Sequence, residues 1–559
     1  MRKIRIPQKR GFYYMLALPA LLVLLLFFVL PLLITLSAAF TDGRGAFSLA
    51  TIIKTFTNPY TLRIMRFTLV QAALSTLASV IIALPGAYLL SSYSFRFKRL
   101  ILALTAVPFV IPSILVVLGF VIFFGNNGFL NLFLMRIFGF SEPPLKILYS
   151  FGAIILAHTF YNFPIIMNLV ASYAMHLDTT LEAASYTLGA SKVRTFFSVT
   201  LPRLVPAIVS AATLVFLFCF SSFAIILVLG GGPKYTTMEV EIYRQARMMG
   251  NTAAAAALSL FSILVTGLLL VAYNKSQRRL AQGELYRDEQ RAQNRKPASL
   301  VGRLLALLYT FITLLFVLAP IISVVVRSAL SPAGFSLKWY RQLLALELAG
   351  SHMGSALPAL LNSLVIATVV AIVATSLGTG LSASIARRTR SKTLLEWLGM
   401  LSMTVSSVII GLGYFLISSQ FRVGQSLSYL LVVIAHLVIA IPFTLRAILP
   451  AYRKIPLSYA HSARTLGSSA PKAFFSVELP LLKSAMASAA IFAFALSMGE
   501  FNATLTLSSA TIVTLPIVMY RLIGSYNYQG ACALGTILII VSALVFLVTA
   551  RPKGTRHGI

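Results

Sequence analysis

The sequence predicts an all-α integral membrane protein made of two parallel copies of one six-span unit. Three observations carry that prediction. Hydrophobic residues make up 58% of the 559 positions and charged residues only 11%, with a mean hydropathy of +0.89, more apolar than a soluble core calls for. The apolar residues gather into about twelve runs near the roughly 20 residues that cross a bilayer as a helix. A stretch of the chain also occurs twice: Leu188-Gly189-Ala190-Ser191 followed by Phe196-Phe197-Ser198-Val199-Thr200-Leu201-Pro202 returns as Leu466-Gly467-Ser468-Ser469 followed by Phe474-Phe475-Ser476-Val477-Glu478-Leu479-Pro480.

The offset between the copies is 278 residues, constant across the motif, and it carries Ala157-His158 onto Ala435-His436 and Pro164 onto Pro442. The duplication therefore includes the apolar segment before the motif. In the first half the expected spans are 12–40, 66–92, 99–124, 147–175, 203–231 and 252–273; in the second they are 302–327, 359–386, 395–418, 427–450, 480–507 and 531–550. These bounds divide the chain into a first domain over 1–273, a linker over 274–301 rich in charge, Gln and Asn, and a second domain over 302–559.

The first run follows Met1-Arg2-Lys3-Ile4-Arg5 and Lys9-Arg10, a basic start like that of a signal peptide. Its apolar stretch is about twice a signal-peptide core, so it reads as a retained anchor. Cys219 and Cys532 fall in or beside apolar runs with no second cysteine near either; neither a disulfide framework nor a metal site is implied.

A net charge of +33 resembles a nucleic-acid signature until the bases are placed on the span map. They cluster at the N-terminus, at Arg96, Lys98 and Arg99, along Lys275 to Lys296, at Arg387, Arg388, Arg390 and Lys392, and at Arg551, Lys553 and Arg556. These are alternate connections, the pattern of cytoplasmic loops under the positive-inside rule. No nucleic-acid partner is expected, only membrane lipid. Both termini are expected in the cytoplasm, with the halves related by an axis along the membrane normal.

The duplicated motif falls on that same face, between the fourth and fifth spans of each half. Asp178-Thr179-Thr180-Leu181-Glu182 can open a short helix, with Thr179 and Glu182 as a capping box, and Gly189 can end it. Ser191 then starts a second short helix that leads into Leu201-Pro202 and the next span. A plain connector has little reason to keep such a stretch twice.

Glu182-Ala183-Ala184, Gly189-Ala190, Phe196, Val199 and Leu201-Pro202 resemble the EAA motif of binding-protein-dependent ABC importer permeases of type I, the MetI-like domains. The second copy departs from the motif at Ala460-His461-Ser462 but keeps Gly467, here followed by Ser468, and Phe474, Val477 and Leu479-Pro480. The resemblance implies that these residues dock on cytoplasmic ATPase subunits and couple their movement to the spans. It further implies two ATPase copies binding ATP and magnesium, a periplasmic or lipid-anchored solute-binding protein, and residence in a bacterial inner membrane. ATP-driven closure of the ATPases would open a cavity outward, and hydrolysis would reset it inward. No nucleotide signature occurs in the chain itself: Gly230-Gly231-Gly232 is not followed by Gly-Lys-Ser or Gly-Lys-Thr. The chain is thus expected to be a transport subunit rather than an enzyme, binding no cofactor or metal of its own.

Phe220-Ser221-Ser222-Phe223, Leu229 to Tyr243, Leu496-Ser497-Met498-Gly499-Glu500-Phe501 and Leu522-Ile523-Gly524-Ser525-Tyr526 are similar to the fused permeases for thiamine, with fused ferric-iron permeases close by. Of the 13 acidic residues, Glu500 is the one that falls within an apolar run without neighbouring bases, which makes it a pathway candidate. It attracts a cation there, or else bonds to a facing helix. Phe501, Asn502, Ser221, Ser222 and Phe223 complete the candidate pathway or gate, the two phenylalanines as cation–π faces. His158 and His436 read as packing residues that bond across helices, and Pro164 and Pro442 as ordinary kinks. An ion-coupled secondary transporter is the rival class, but such proteins commonly carry several intramembrane charges. An embedded enzyme finds no triad or ligand cluster.

Overall fold

The computed structural model describes residues 10–41, 46–93, 98, 101–102, 105, 111–177, 180–284, 300–331, 334–344, 356–387, 392–421, 424–507 and 513–549. Among them, ten helices are long and apolar enough to cross a membrane, and twelve if each of two sharply bent pairs counts as one span. The first half supplies Gly11–Ala39, Pro59–Ser92, Ser113–Phe138, Phe151–Met175, Lys192–Phe220 and Thr252–Gln277. The second supplies Leu300–Ala329, Ala356–Ala386, Lys392–Thr404 with Ser407–Gln420, Ser426–Arg453, Ala470–Leu481 with Lys483–Met498, and Tyr528–Val545.

Several spans expected as continuous are broken. The ninth turns by 84° between Thr404 and Ser407, and the eleventh by 72° between Leu481 and Lys483. In both halves the span after the duplicated motif is interrupted near its far end: Leu201–Phe220 resumes as Ala224–Leu229, and Lys483–Met498 resumes as Asn502–Leu507. Pro164 and Pro442, by contrast, lie inside helices that run on through them. The sixth span winds on to Glu284, so the start of the segment expected as a linker is helical; 285–299 lie outside the described residues.

The halves exchange their opening spans. The first span packs its N-terminal part on the eighth span, and its C-terminal part on the ninth as well as on its own sixth. The seventh span packs on the third and second spans of the first half as well as on its own twelfth. Matching glycines mark the crossings. A Cβ on Gly119 would lie 2.9 Å from the Pro320 carbonyl oxygen, and one on Gly413 would lie 3.0 Å from that of Pro31, so in each half only a glycine lets the foreign backbone approach. Further along, Leu16 seats on Gly380 and Tyr309 on Gly86, with the Tyr309 hydroxyl donating to the Ile82 carbonyl at 2.8 Å. These glycine pairs keep an offset of 294 rather than 278, because the connection before the fourth span is longer than its counterpart before the tenth.

Candidate functional site

The break in each fifth-type span is where the two halves meet. In the first half it is Ser221-Ser222-Phe223; in the second, Gly499-Glu500-Phe501. A cavity of about 300 Å³ lies between them, and all six sequence-predicted pathway residues line it: Ser221, Ser222, Phe223, Glu500, Phe501 and Asn502. That volume is at the lower end of what small-molecule sites offer, and interrupted helices at a repeat interface are a recurrent way to build a transport site.

Glu500 is not the unpaired carboxylate that its apolar surroundings suggest. Its side chain is 5% exposed, and His436 Nε2 stands 3.5 Å away. Oε1 accepts from the Ala503 backbone N–H at 2.8 Å, and Oε2 from the Thr504 N–H at 3.0 Å and Thr504 Oγ1 at 2.9 Å. The carboxylate therefore caps the resumed helix Asn502–Leu507, satisfying backbone donors that the break leaves open. His436 in turn bonds Ser497 and Thr504, each at 2.8 Å. Among the described residues its repeat partner His158 meets Ser75, at 3.1 Å through Nδ1, and Nε2 is left without a partner. Asn162 Oδ1 and Asn502 Oδ1 are also unpartnered, and all three side chains line the cavity. Buried polar atoms in that state are costly unless something fills them.

Phe223 and Phe501 are buried, with ring centroids 6.1 Å apart across the repeat axis. Tyr243 lies 5.4 Å from Phe223, and Tyr520 lies 5.3 Å from Phe501, so four rings form a row from one half to the other. The two tyrosines belong to Met238–Tyr243 and Leu515–Gly524, beyond the breaks as seen from the duplicated motifs. The row thus backs the cavity on the side away from those motifs.

A second buried acid escaped the sequence reading. Glu239 is 0% exposed and accepts from Ser262 at 2.8 Å and from Ser406, at the bend of the ninth span, at 2.5 Å. It joins the halves behind the ring row. Its segment, Met238-Glu239-Val240-Glu241, is short and mixed in character, so periodicity does not place it in the interior; the hydroxyls that satisfy it come from residues far away in the chain.

The duplicated motif folds the same way twice. Thr180–Thr187 and Leu457–Thr465 end in left-handed glycines, Gly189 at φ 82° and Gly467 at φ 87°. In each turn the glycine N–H bonds three residues back and the next N–H five residues back: Gly189 to Tyr186 and Ala190 to Ser185, Gly467 to Arg464 and Ser468 to Ala463. This is the Schellman arrangement. Ser191 and Ser469 cap the following helices through Arg194 N and Lys472 N. Phe196–Thr200 and Phe474–Glu478 are each one turn of π-helix running into Leu201-Pro202 or Leu479-Pro480, a wide turn that periodicity does not forecast. Asp178 and Thr179 of the expected capping box lie outside the described residues, and Glu182 Oε1 accepts instead from Thr200 Oγ1 at 2.7 Å. Ala183 and Ala184 are exposed on the first helix, and Ala190, just past Gly189, is half-buried. Leu188 and Leu466, one repeat apart, are both 87% exposed.

Compared with known proteins, the chain is similar over nearly its whole length to fused transport permeases. It is 28% identical to the thiamine transport system permease protein ThiP of Brucella abortus (strain 2308) over 93% of this chain and 92% of that one. Against ThiP of Escherichia coli (strain K12) the identity is 28% over 89% and 90%. With the ferric transport system permease protein FbpB of Actinobacillus pleuropneumoniae it shares 23% identity, over 98% of this chain and 79% of that one. A single family model matches twice, over residues 75–282 and 376–551, so that both copies of the repeat fall within it. The chain belongs to the binding-protein-dependent transport system inner membrane components.

Proposed function

We propose that the chain is the membrane permease of an ATP-powered importer of thiamine, lying in a bacterial inner membrane with both termini in the cytoplasm. The observation that carries the reading is the cavity at the paired breaks, lined by a buried carboxylate, two aromatic rings and three unpartnered polar atoms. A permanently charged ring with amino and ring-nitrogen groups suits such a lining: Glu500 supplies the opposite charge, Phe223 and Phe501 supply π faces, and His158, Asn162 and Asn502 supply hydrogen bonds. The similarity to ThiP proteins supports the same substrate.

The two glycine turns are the docking elements for two ATPase copies. Glu182, Ala183, Ala184, Gly189, Ala190, Phe196, Leu201 and Pro202 form the first, and Gly467, Ser468, Phe474, Leu479 and Pro480 the second. Leu188 and Leu466 are the exposed apolar knobs that a groove on such a subunit would cover. ATP and magnesium belong to those subunits, and a solute-binding protein delivers substrate at the opposite face. Ferric iron is the second reading, favoured by the FbpB similarity.

Reconstitution with its ATPase and binding protein tests the proposal. ATP-dependent uptake of labelled thiamine, without uptake of ferric iron, is expected. Iron uptake alone would replace the substrate. Uptake driven by an ion gradient without ATP would overturn the importer mechanism.

A further inference from the structure

The two docking motifs carry their carboxylates on opposite sides. In the first, Glu182 on the leading helix accepts from Thr200, a bond within the motif. One repeat later those positions are Ala460 and Glu478, so the acid has moved to the π-turn. There it is 0% exposed and paired with Arg387, Nη2 at 2.7 Å and Nε at 2.9 Å from Oε1. The Tyr452 hydroxyl donates to Oε2, and the Tyr13 hydroxyl reaches the same oxygen at 3.3 Å.

These partners come from three spans: Arg387 from the end of the eighth, Tyr452 from the tenth, and Tyr13 from the first span, which belongs to the other half. The contact between halves is reinforced by Phe12 on Phe474, with centroids 5.8 Å apart. By the repeat offsets of 278 and 294, Thr200, Tyr93 and Ala174 stand where Glu478, Arg387 and Tyr452 are, none of them charged, and the second span meets the first motif through the ring pair Tyr88 and Phe196 at 5.4 Å. A buried ion pair contributes little net stability over an apolar replacement, so its presence in only one copy calls for another role.

We propose that Glu478 is a positioning residue that locks the second docking motif to the opening span of the first half, so that displacement of this motif moves both halves. The proposal rests on the docking role assigned above. Glu478 transmits the movement through Arg387 and Tyr13 and touches neither nucleotide nor substrate.

The test uses the full chain in lipid, with and without its ATPase partner. Cysteines in place of Phe12 and Phe474 report whether the motif and the first span stay together, and they need no substrate. In the otherwise unchanged chain the cross-link should form both without nucleotide and with ATP trapped. Glu478→Gln tests the charge; Arg387→Met with Glu478→Leu removes both charges and keeps the interior packed. Combined with that double change, the ATP-trapped cross-link should fall by about tenfold, the scale of ordinary coupling energies, with a similar fall in thiamine taken up per ATP hydrolysed. The melting temperature and ATPase retention should stay at the parent level. Tyr13→Phe should give the same pattern more weakly. A double variant with normal cross-linking and normal uptake per ATP would reduce the pair to packing and overturn the proposal. So would loss of the parent cross-link on ATP binding. Failure of any ATPase to bind the parent chain would instead sink the docking role, and the substrate-free cross-link, if independent of Glu478, would still reject the lock.

Discussion

Nε2 of His436 stands 3.5 Å from the Glu500 carboxylate, whereas Nε2 of His158, at the matching place one repeat earlier, has no partner among the described residues. One histidine is part of a closed network; the other ends at the cavity. The same residue type thus serves two purposes, and substitutions separate them. His436→Phe leaves Ser497, Thr504 and Glu500 short of a partner and should lower stability by about 1–3 kcal/mol, read as a thermal melt in detergent or nanodiscs. His158→Phe breaks only the bond to Ser75. It should melt nearly as the parent does while uptake falls, a split that uptake assays beside the melts will show.

Glu500→Gln keeps the shape but presents an amide to donors that need an acceptor, the Ala503 and Thr504 N–H groups. Loss of the charge-assisted attraction should reduce uptake by about tenfold, equivalent to about 1.4 kcal/mol. Glu500→Ala removes the cap altogether and should also lower the yield of assembled permease. Undiminished uptake by Glu500→Gln would take the charge out of substrate recognition.

Leu188 and Leu466 offer a clean docking test because each is almost fully exposed. Leu188→Asp and Leu466→Asp should leave the melt within about 0.5 kcal/mol of the parent. Pull-down of the ATPase should weaken sharply with either and fail with both, as expected when interface anchors are removed. Gly189→Val or Gly467→Val acts differently. Among the described residues no neighbour lies within 4 Å of an added Cβ at either site, so the penalty comes from positive φ, about 1–2 kcal/mol, and should appear as fraying of the turn in hydrogen exchange.

The exchanged spans predict how the chain behaves when cut. Residues 1–285 and 286–559 expressed together should copurify and regain uptake, since each piece completes the other; 286–559 alone should be degraded, lacking the first span. Gly119→Leu and Gly413→Leu strike the equivalent crossings at Pro320 and Pro31 and should each cost about 1–3 kcal/mol by overpacking, measured as lost melting temperature. A large effect at one site and none at the other would contradict the equivalence.

Much of this architecture is legible in the residues. Span count follows from apolar run length, and the 278-residue offset exposes the duplication. The glycine turn is written in Leu188-Gly189 and Leu466-Gly467. The six pathway candidates lie together because the repeat register superimposes Ser222 on Glu500 and Phe223 on Phe501. What escapes is whatever depends on partners distant in sequence. A lipid-facing run and a protein-facing run are equally apolar, so nothing in 12–40 says that this helix packs on the other half. The breaks at Ser221 to Phe223 and at Ser406 lie inside runs that stay apolar enough overall to read as single spans. Glu239 and Glu478 look like loop-border acids until Ser406 and Arg387 come to meet them.

Exchange of the opening spans also bears on how such a chain can change over time. Two separate subunits interlocked in this way would be encoded by one sequence, and any alteration would strike both copies at once. Joined end to end, the halves hold each other at the high local concentration set by a short tether, and each copy is free to drift alone. The departure of Ala460-His461-Ser462 from Glu182-Ala183-Ala184, with the acid reappearing as Glu478, is a divergence that a symmetric pair could not make on one side only. Fusion thus converts an obligatory symmetry into a division of labour between two motifs.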